Sequence, residues 1–140
     1  MPDRAELEAL IRRVEALTGP YREVDEIIAT TIGGYVYEKR GRDQKAWFYP
    51  EDGGWRRQKY GVQDGLPRYT ASLDATVALV ERCLPGWRHA YERRATGINL
   101  AWVSDDDEGP AMPSVGATPA LSLLSALLRA LSDKAKEEER

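Results

Sequence analysis

The stretch Pro67–Arg82, PRYTASLDATVALVER, turns a loop into an amphipathic helix, and the rest of the fold can be worked out from it in both directions. Ser72 is placed as the N-cap, because its hydroxyl oxygen can accept from the free N–H groups of the first turn. Asp74 lies in that turn, where a negative charge suits the helix dipole. The same N–H groups can bind a phosphate. The stretch is therefore a structural junction and also a candidate binding site.

Downstream of this junction, the spacing of apolar residues predicts a helix that ends at Pro85-Gly86. Its expected buried face consists of Leu73, Val77, Val80 and Leu84. Alternating residues then predict an antiparallel hairpin, with strands over 87–94 and 98–103 that are joined by a turn at 95–97.

The C-terminal part is predicted as a loop over 104–117 and a last helix. Thr118-Pro119 supplies a hydroxyl cap and a proline at the first helical position. The leucines from Leu121 to Leu131 form the buried face of that helix. Residues 133–140 are expected to be a charged, frayed tail.

Upstream of the junction, apolar residues at helix spacing predict two helices, over 3–17 and 23–32, with Asp3 as a cap and Gly33-Gly34 as the end of the second. Arg22 and Asp25 indicate a salt-bridged start of the second helix. Between residues 35 and 60 the helical period is lost and aromatic residues favour strands. A short strand or lead-in at 35–37 and a hairpin of 45–49 with 55–60 are expected there, followed by a loop over 61–68.

These elements predict one α+β domain over residues 1–132, with a small and mostly antiparallel sheet. The four tryptophans are too many large rings for one face of such a sheet. Helices on both faces would give a three-layer α/β/α sandwich, and a two-layer arrangement is the alternative.

Composition and charge argue against nucleic-acid-binding, membrane and secreted proteins. A net charge of −3, with 42% hydrophobic and 31% charged residues, is typical of a soluble globular protein and does not favour polymeric nucleic acid or an anionic membrane as partner. The longest apolar run, near Leu121–Leu131, is too short and too polar to span a bilayer. The charged N-terminus is unlike a signal peptide, and Cys83, the only cysteine, excludes an internal disulfide. We therefore expect an intracellular protein.

Catalytic and metal-binding signatures are missing from the sequence. His89 is the only histidine and has no cysteine near it in the chain, and Cys83 is interpreted as a small core residue. The acidic run Asp105–Glu108 lacks the spaced ligands of a calcium loop, and a solvated loop is its default interpretation. We expect no catalytic residue, no metal and no cofactor, and hence a protein that is not an enzyme.

A basic and aromatic segment leads into the junction. Residues 55–70 carry four bases and one acid, which is +3 in an acidic chain. Aromatic rings stack on nucleotide bases, while arginine forks match phosphates. The structural alternative is that the rings pack in a core and the arginines line an exposed edge. The candidate ligand-binding residues of this region are Arg57, Tyr60, Arg68, Tyr69, Thr70 and Ser72. Phosphates are expected near Arg68, Thr70 and Ser72, and a base against Tyr69 or Tyr60.

Three segments in order along the chain carry a resemblance to a known family. They are Gly19–Asp25, then Pro67–Ala75 leading to Ala78–Glu81, and then Ala117–Leu121 leading to Ala126–Leu131. Together they resemble the phage ABA-sandwich family, small proteins of bacteriophages and prophages. The family name implies an α/β/α sandwich, in agreement with the fold predicted from periodicity.

The resemblance also implies a function. Some phage proteins of similar layout block Thoeris-type immunity by sequestering a cyclic ADP-ribose signal in pockets between subunits, without cleaving it. By this resemblance the chain is expected to be a homo-oligomeric, cytoplasmic anti-defence protein of the bacterial host that binds a nucleotide-derived signal of the cyclic ADP-ribose or cyclic oligonucleotide type. Arg129 would assist from the last helix or from a neighbouring subunit, whereas Ser125 departs from the arginine that such relatives carry. A protein-interaction module without a small-molecule ligand is the main alternative, and a nucleotide hydrolase is a third.

Overall fold

The computed structural model describes residues 2–39, 45–51, 54–57, 66–105 and 112–139, with the backbone alone for the described parts of 36–57. These residues form four helices and six strands, so the predicted α+β class is confirmed. In chain order they are α1 (Arg4–Glu15), α2 (Arg22–Thr31), β1 (Val36–Lys39), β2 (Lys45–Glu51), β3 (Gly54–Arg57), α3 (Leu73–Cys83), β4 (Arg88–Arg93), β5 (Asn99–Ser104), β6 (Ser114–Gly116) and α4 (Pro119–Glu138).

The predicted caps begin three of the helices. Asp3 accepts from Glu6 N at the start of α1, and Ser72 Oγ accepts from Ala75 N at 3.2 Å at the start of α3. Thr118 Oγ1 accepts from Leu121 N at 3.1 Å, ahead of the α4 proline. Each cap satisfies an N–H that the helix itself leaves without a partner.

The strands form two three-stranded antiparallel sheets, in the orders β1-β2-β3 and β4-β5-β6. The second sheet contains the predicted hairpin, whose turn ends at Gly97 with a φ of 87°, a left-handed conformation that glycine adopts without strain. Strand β6 lies inside the segment that was predicted to be a loop, and this part of the prediction was wrong. Its three residues are too few for a strand-like alternation to be visible in the sequence.

Helix α4 organises the core. It packs against all three strands of the second sheet and against α1 and α3. Leu123, Leu124, Leu127 and Leu128 are fully buried, and Ala101 and Val103 of β5 belong to the same core. The coverage of both sheet faces by helices stays a prediction. The helix continues to Glu138, so the segment expected to be a frayed tail is helical up to that residue.

Among the described residues, no helix combines the length and the apolar character that crossing a bilayer requires. The predictions for the loop 61–65 and for the acidic residues 106–108 lie outside the described residues.

Candidate functional site

A buried carboxylate ties the start of α2 to the loop before α3. Asp25 is 2% exposed, and its Oδ1 accepts from Thr70 N and from Thr70 Oγ1, both at 2.7 Å. The hydroxyl of Thr70 in turn accepts from Tyr21 N at 2.9 Å. Two segments that are far apart in sequence, both of which carry the family resemblance, are therefore bonded to each other. We call residues 66–72 the junction.

Arg22 closes the same junction from the other side. Its Nη1 lies 3.3 Å from Asp25 Oδ2, which is the salt bridge expected from the sequence. The same guanidinium donates to Leu66 O at 3.0 Å and to Pro67 O at 3.3 Å. Because a guanidinium has five donors in a fixed fork, one arginine can satisfy two carbonyls and a carboxylate at once. Arg22 thus fixes the first two residues of the junction, and Asp25 fixes Thr70 in its middle.

The turn into α3 is held by its own backbone and by two hydroxyls. Arg68 O accepts from Ala71 N at 3.0 Å and from Ser72 N at 2.7 Å. Thr76 Oγ1 lies 2.9 Å from Tyr69 O and 3.0 Å from Ser72 O, close enough to donate to either carbonyl. These hydrogen bonds fix the backbone conformation of the junction at the start of α3.

The structure places the predicted site residues in different environments. Arg68 is exposed, whereas Tyr69 is 3% and Thr70 0% exposed. The amide and hydroxyl of Thr70 have partners inside the chain, and the hydroxyl of Ser72 caps α3. A ligand that used these groups would have to replace those bonds. Tyr60 and the side chain of Arg57 lie outside the described residues.

A cavity of about 230 Å³ lies beside the junction, and we call it the junction pocket. Tyr69 and Pro67 line it from the junction, Arg82 from α3, and Tyr35 from the chain that follows α2. Ala75, Ala78 and Leu79 complete the lining. Tyrosine rings and an arginine at one small cavity are the groups that bind a flat, anionic ligand.

Sequence reasoning missed Tyr35 and Arg82. They meet at the pocket because the chain turns sharply after α2 at Gly33-Gly34. Gly34 has a φ of +79°, and a Cβ built there would lie 2.1 Å from Arg82 Nη2, so the guanidinium packs directly on the glycine backbone. A Cβ at Gly33 would lie 3.0 Å from Tyr69 Oη. The Gly-Gly pair was the available signal, but in the sequence it indicates only the end of a helix.

Arg129 lies elsewhere in the chain. It lines a groove of about 410 Å³ between α1 and α4 that shares no lining residue with the junction pocket. Arg129 Nε donates to Glu15 Oε1 at 2.7 Å, and the buried Ser125 Oγ donates to the same oxygen at 2.9 Å. Within one chain, therefore, the structure does not bring Arg129 to the junction.

Cys83 has the environment of a core thiol. Burial raises its pKa above the ordinary value, and the positive charge of Arg82 only partly offsets this effect. Its Sγ donates to Ile32 O at 3.6 Å. A raised pKa keeps the thiol protonated near neutral pH, whereas the nucleophile would be the thiolate. Among the described residues, no three histidine, cysteine, aspartate or glutamate side chains are grouped so that they could hold a metal ion.

Comparison with family models, with curated proteins and with solved structures finds no match to this chain. The resemblance to the phage ABA-sandwich family therefore stays a prediction that rests on the three motifs.

Proposed function

We propose that the protein is a phage or prophage anti-defence protein, acting in the cytoplasm of the bacterial host, which binds a nucleotide-derived immune signal and sequesters it without cleaving it. The signal would be of the cyclic ADP-ribose or cyclic oligonucleotide type. The observation that carries the proposal is the junction pocket, where Tyr35, Tyr69 and Arg82 line one cavity beside the exposed Arg68.

The lining suits one ring of such a ligand. At about 230 Å³ the pocket is smaller than the roughly 300–1,000 Å³ that usually encloses a whole small molecule. We therefore place a base in the pocket with the half-buried Tyr35 as its main stacking ring and Tyr69, which is 3% exposed, as part of the pocket wall. The phosphates would lie outside the pocket, over Arg68 and Arg82. Base–aromatic stacking contributes about 1–3 kcal/mol per base, and arginine binds phosphate bidentately.

The other predicted residues take supporting roles in this proposal. Thr70 and Ser72 hold the wall of the pocket through their internal hydrogen bonds. Arg57 and Tyr60 precede the junction in the chain and remain proposed contacts to phosphate and base. Because Arg129 lines a separate groove, it would reach the ligand only from a neighbouring subunit.

Sequestration is favoured over turnover by the chemistry of the lining. Among the described residues that line the junction pocket, none is a carboxylate, a histidine or a thiol. General acid–base catalysis most often uses a histidine, aspartate or glutamate side chain. The lining instead offers the rings of Tyr35 and Tyr69 for stacking and the charge of Arg82 for an anion.

Calorimetry with a panel of cyclic ADP-ribose isomers and cyclic oligonucleotides tests the proposal. We expect one class to bind, and we expect R68A and R82Q each to weaken it by roughly tenfold or more, the loss expected for one charge-assisted hydrogen bond. R94A is the matched control, because Arg94 is exposed just after β4 and lines no part of the pocket. Failure of every ligand in the panel to bind would overturn the proposal.

The fate of the bound ligand separates sequestration from hydrolysis. After denaturation of the complex, the ligand should be recovered intact by chromatography and mass spectrometry. Recovery of a cleaved product would show that the protein hydrolyses the ligand and would contradict sequestration.

A protein-interaction module is the second candidate, and one observation favours it. The second sheet and the segment before β6 expose several apolar side chains, among them Tyr91 at 51%, Val115 at 58% and Met112 at 88%. A protein partner captured by the full chain, together with no binding across the ligand panel, would favour this function.

A further inference from the structure

Strand β4 forms an open edge of the second sheet. The strand order is β4-β5-β6, and in the part of the chain that the structure describes no strand pairs with the other side of β4. Five of its six residues are exposed, and His89 is half-buried. An uncovered edge presents unpaired backbone N–H and C=O groups that can pair with another strand.

The hairpin geometry identifies the backbone groups that point outward at this edge. Arg94 N donates to Ile98 O at 2.9 Å, and the strands continue in a register that sets Glu92 opposite Leu100 and Ala90 opposite Trp102. Hydrogen-bonded and non-hydrogen-bonded pairs alternate along an antiparallel ladder. The backbone groups of Ala90 and Glu92 therefore face β5, whereas those of His89, Tyr91 and Arg93 face outward.

We propose that β4 pairs in antiparallel fashion with β4 of a second copy of this chain, with Ala90 opposite Ala90 on the two-fold axis. His89 of each copy then exchanges backbone hydrogen bonds with Tyr91 of the other, and both of these residues have outward-facing groups. In the same register Arg88 lies opposite Glu92 of the second copy. Symmetry makes this oppositely charged pair twice.

Charge selects this register among those that the outward groups allow. A shift that sets Tyr91 opposite Tyr91 would place Arg88 against Arg94 and His89 against Arg93. A shift in the other direction, with His89 opposite His89, would place Arg88 against Ala90 and form no oppositely charged pair. Opposite charges on facing strands stabilise a sheet and like charges destabilise it, so the axis through Ala90 is favoured.

Glu92 and Arg88 are both accessible for the two ion pairs of this register. Glu92 is exposed and makes no ion pair with another described residue of its own chain. Arg88 is exposed and already makes a contact in its own chain, but its five N–H donors allow it to bind Glu92 of the second copy as well.

The dimer would also continue an apolar strip across the sheet. Directly opposite residues of a ladder share a face, so Ala90 lies on the same face as Trp102, opposite the face on which Ala101 and Val103 join the core. In the six-stranded sheet of the dimer, the two Ala90 residues lie side by side and a half-buried Trp102 flanks each of them.

Sedimentation velocity and light scattering of the full chain test the pairing by charge reversal. The 15.7 kDa chain should form a dimer of about 31 kDa, twice that mass. R88E alone and E92R alone should each weaken the dimer by roughly tenfold or more, because each faces like charges twice in its own homodimer. An equimolar mixture of the two variants should restore a dimer, since every Arg–Glu pair is then re-formed between unlike chains.

Two further variants control for folding and for general charge effects. R94E changes charge by the same amount just beyond the strand, where the proposed register offers it no charged partner, and it should leave the dimer unchanged. Tyr91→Pro removes an outward-facing N–H and no hydrogen bond to β5, so it should abolish the dimer while circular dichroism stays that of the wild type.

Three outcomes would overturn the pairing, whether or not a ligand binds. A wild-type chain that remains monomeric at 100 μM overturns the pairing, as do single reversals that leave the dimer intact or a mixture that fails to restore it. Calorimetry with the same panel of cyclic nucleotides then separates the two proposals, because an R88E monomer that binds a member of the panel supports the proposed function, whereas a wild-type dimer that binds none supports only the pairing.

Discussion

Asp25 illustrates how one buried carboxylate can fix the shape of a site without touching a ligand. Burial of a charge is unfavourable unless hydrogen bonds and an opposite charge replace the lost water. Asp25 has both, through the amide and hydroxyl of Thr70 and the guanidinium of Arg22. Removal of the carboxylate would leave the buried Thr70 N–H without its acceptor and Arg22 without its counter-charge. Leaving a buried donor without a partner costs more than the hydrogen bond itself contributes to stability.

Asp25→Ala should therefore lower the free energy of unfolding by about 3 kcal/mol, the range for breaking a buried charged network. Glu23→Ala is the matched control, because Glu23 lies in the same helical turn, is exposed, and should change stability by less than about 0.5 kcal/mol. Urea denaturation followed by tryptophan fluorescence gives both values. If the two variants are equally stable, the junction does not depend on this carboxylate.

The sequence allows only half of this arrangement to be predicted. The spacing of Arg22 and Asp25 places them one helical turn apart, so their salt bridge follows from helix geometry. Their contacts to Pro67 and Thr70 link residues separated by 45 positions, and no local pattern encodes such a pairing. The junction could be predicted as a candidate site because its residues are consecutive in the sequence. Arg82 and Tyr35 complete its pocket only through contacts between distant residues, so they were not predicted.

At the scale of elements, β6 and α4 are packed closer than side chains normally allow. A Cβ built at Gly116 would lie 2.5 Å from Ser122 N and 2.8 Å from Leu121 C, both of them backbone atoms of α4. Asn99 Nδ2 donates to Ala117 O at 3.1 Å beside this contact. Backbone atoms cannot rotate away as a side chain can, so glycine is required here by its lack of a Cβ.

We expect Gly116→Ala to destabilise the protein by about 1–3 kcal/mol, the usual penalty of overpacking. Gly19→Ala provides the comparison, because a Cβ at that position meets nothing within 4 Å. Differential scanning calorimetry should show a Tm lower by several degrees for the first variant and nearly unchanged for the second. Equal melting temperatures would mean that β6 can move away from α4.

Element positions were predicted well where a periodic pattern was long enough. The helix after the junction was expected over 73–84 and is found at Leu73–Cys83, and the second hairpin agrees equally well. The buried side of α3 was less well predicted, since Thr76 and Leu79 are buried while Leu73 and Val77 are only partly so. Thr76 can be buried because its hydroxyl reaches the carbonyl of Tyr69, a compensation that a hydrophobic pattern does not reveal.

The charged end of α4 was expected to fray, and two physical terms explain why it is helical instead. Alanine, lysine and glutamate have high helix propensity, which favours continuation of the helix. Arg4 Nη1 of α1 lies 3.6 Å from Glu139 Oε2, an ion pair that links the start of α1 to the end of α4. This exposed pair contributes little by itself, so propensity is the larger effect.

At the scale of the whole molecule, the central position of α4 separates the two predicted parts of the ligand site, which are the junction and Arg129. The helix lies against the second sheet and also against α1 and α3, so Arg129 faces the α1 groove and not the junction pocket. A single sequence shows which residues are basic but not on which side of a buried helix they project. If one ligand contacts both Arg68 and Arg129, it does so between subunits, and this makes the oligomeric state a question about the site itself.

Hydrogen exchange measured amide by amide tests the assembly and the core in one experiment. Amides of the fully buried stretch of α4 at 123–128 should exchange only through global unfolding, because no local opening frees them. The amides of Ala90 and Glu92 on β4 are directed at β5, and Arg94 N, just after β4, donates to Ile98 O, so these three amides should be protected at every protein concentration. The amides of His89 and Tyr91 face outward and would pair with the second copy, so they should exchange fast in dilute solution and become protected as the dimer forms. Protection that rises with concentration on alternate residues only is the signature of a ladder added at this edge. A uniform rise along β4 would indicate general stabilisation, and no rise would show that the edge stays open.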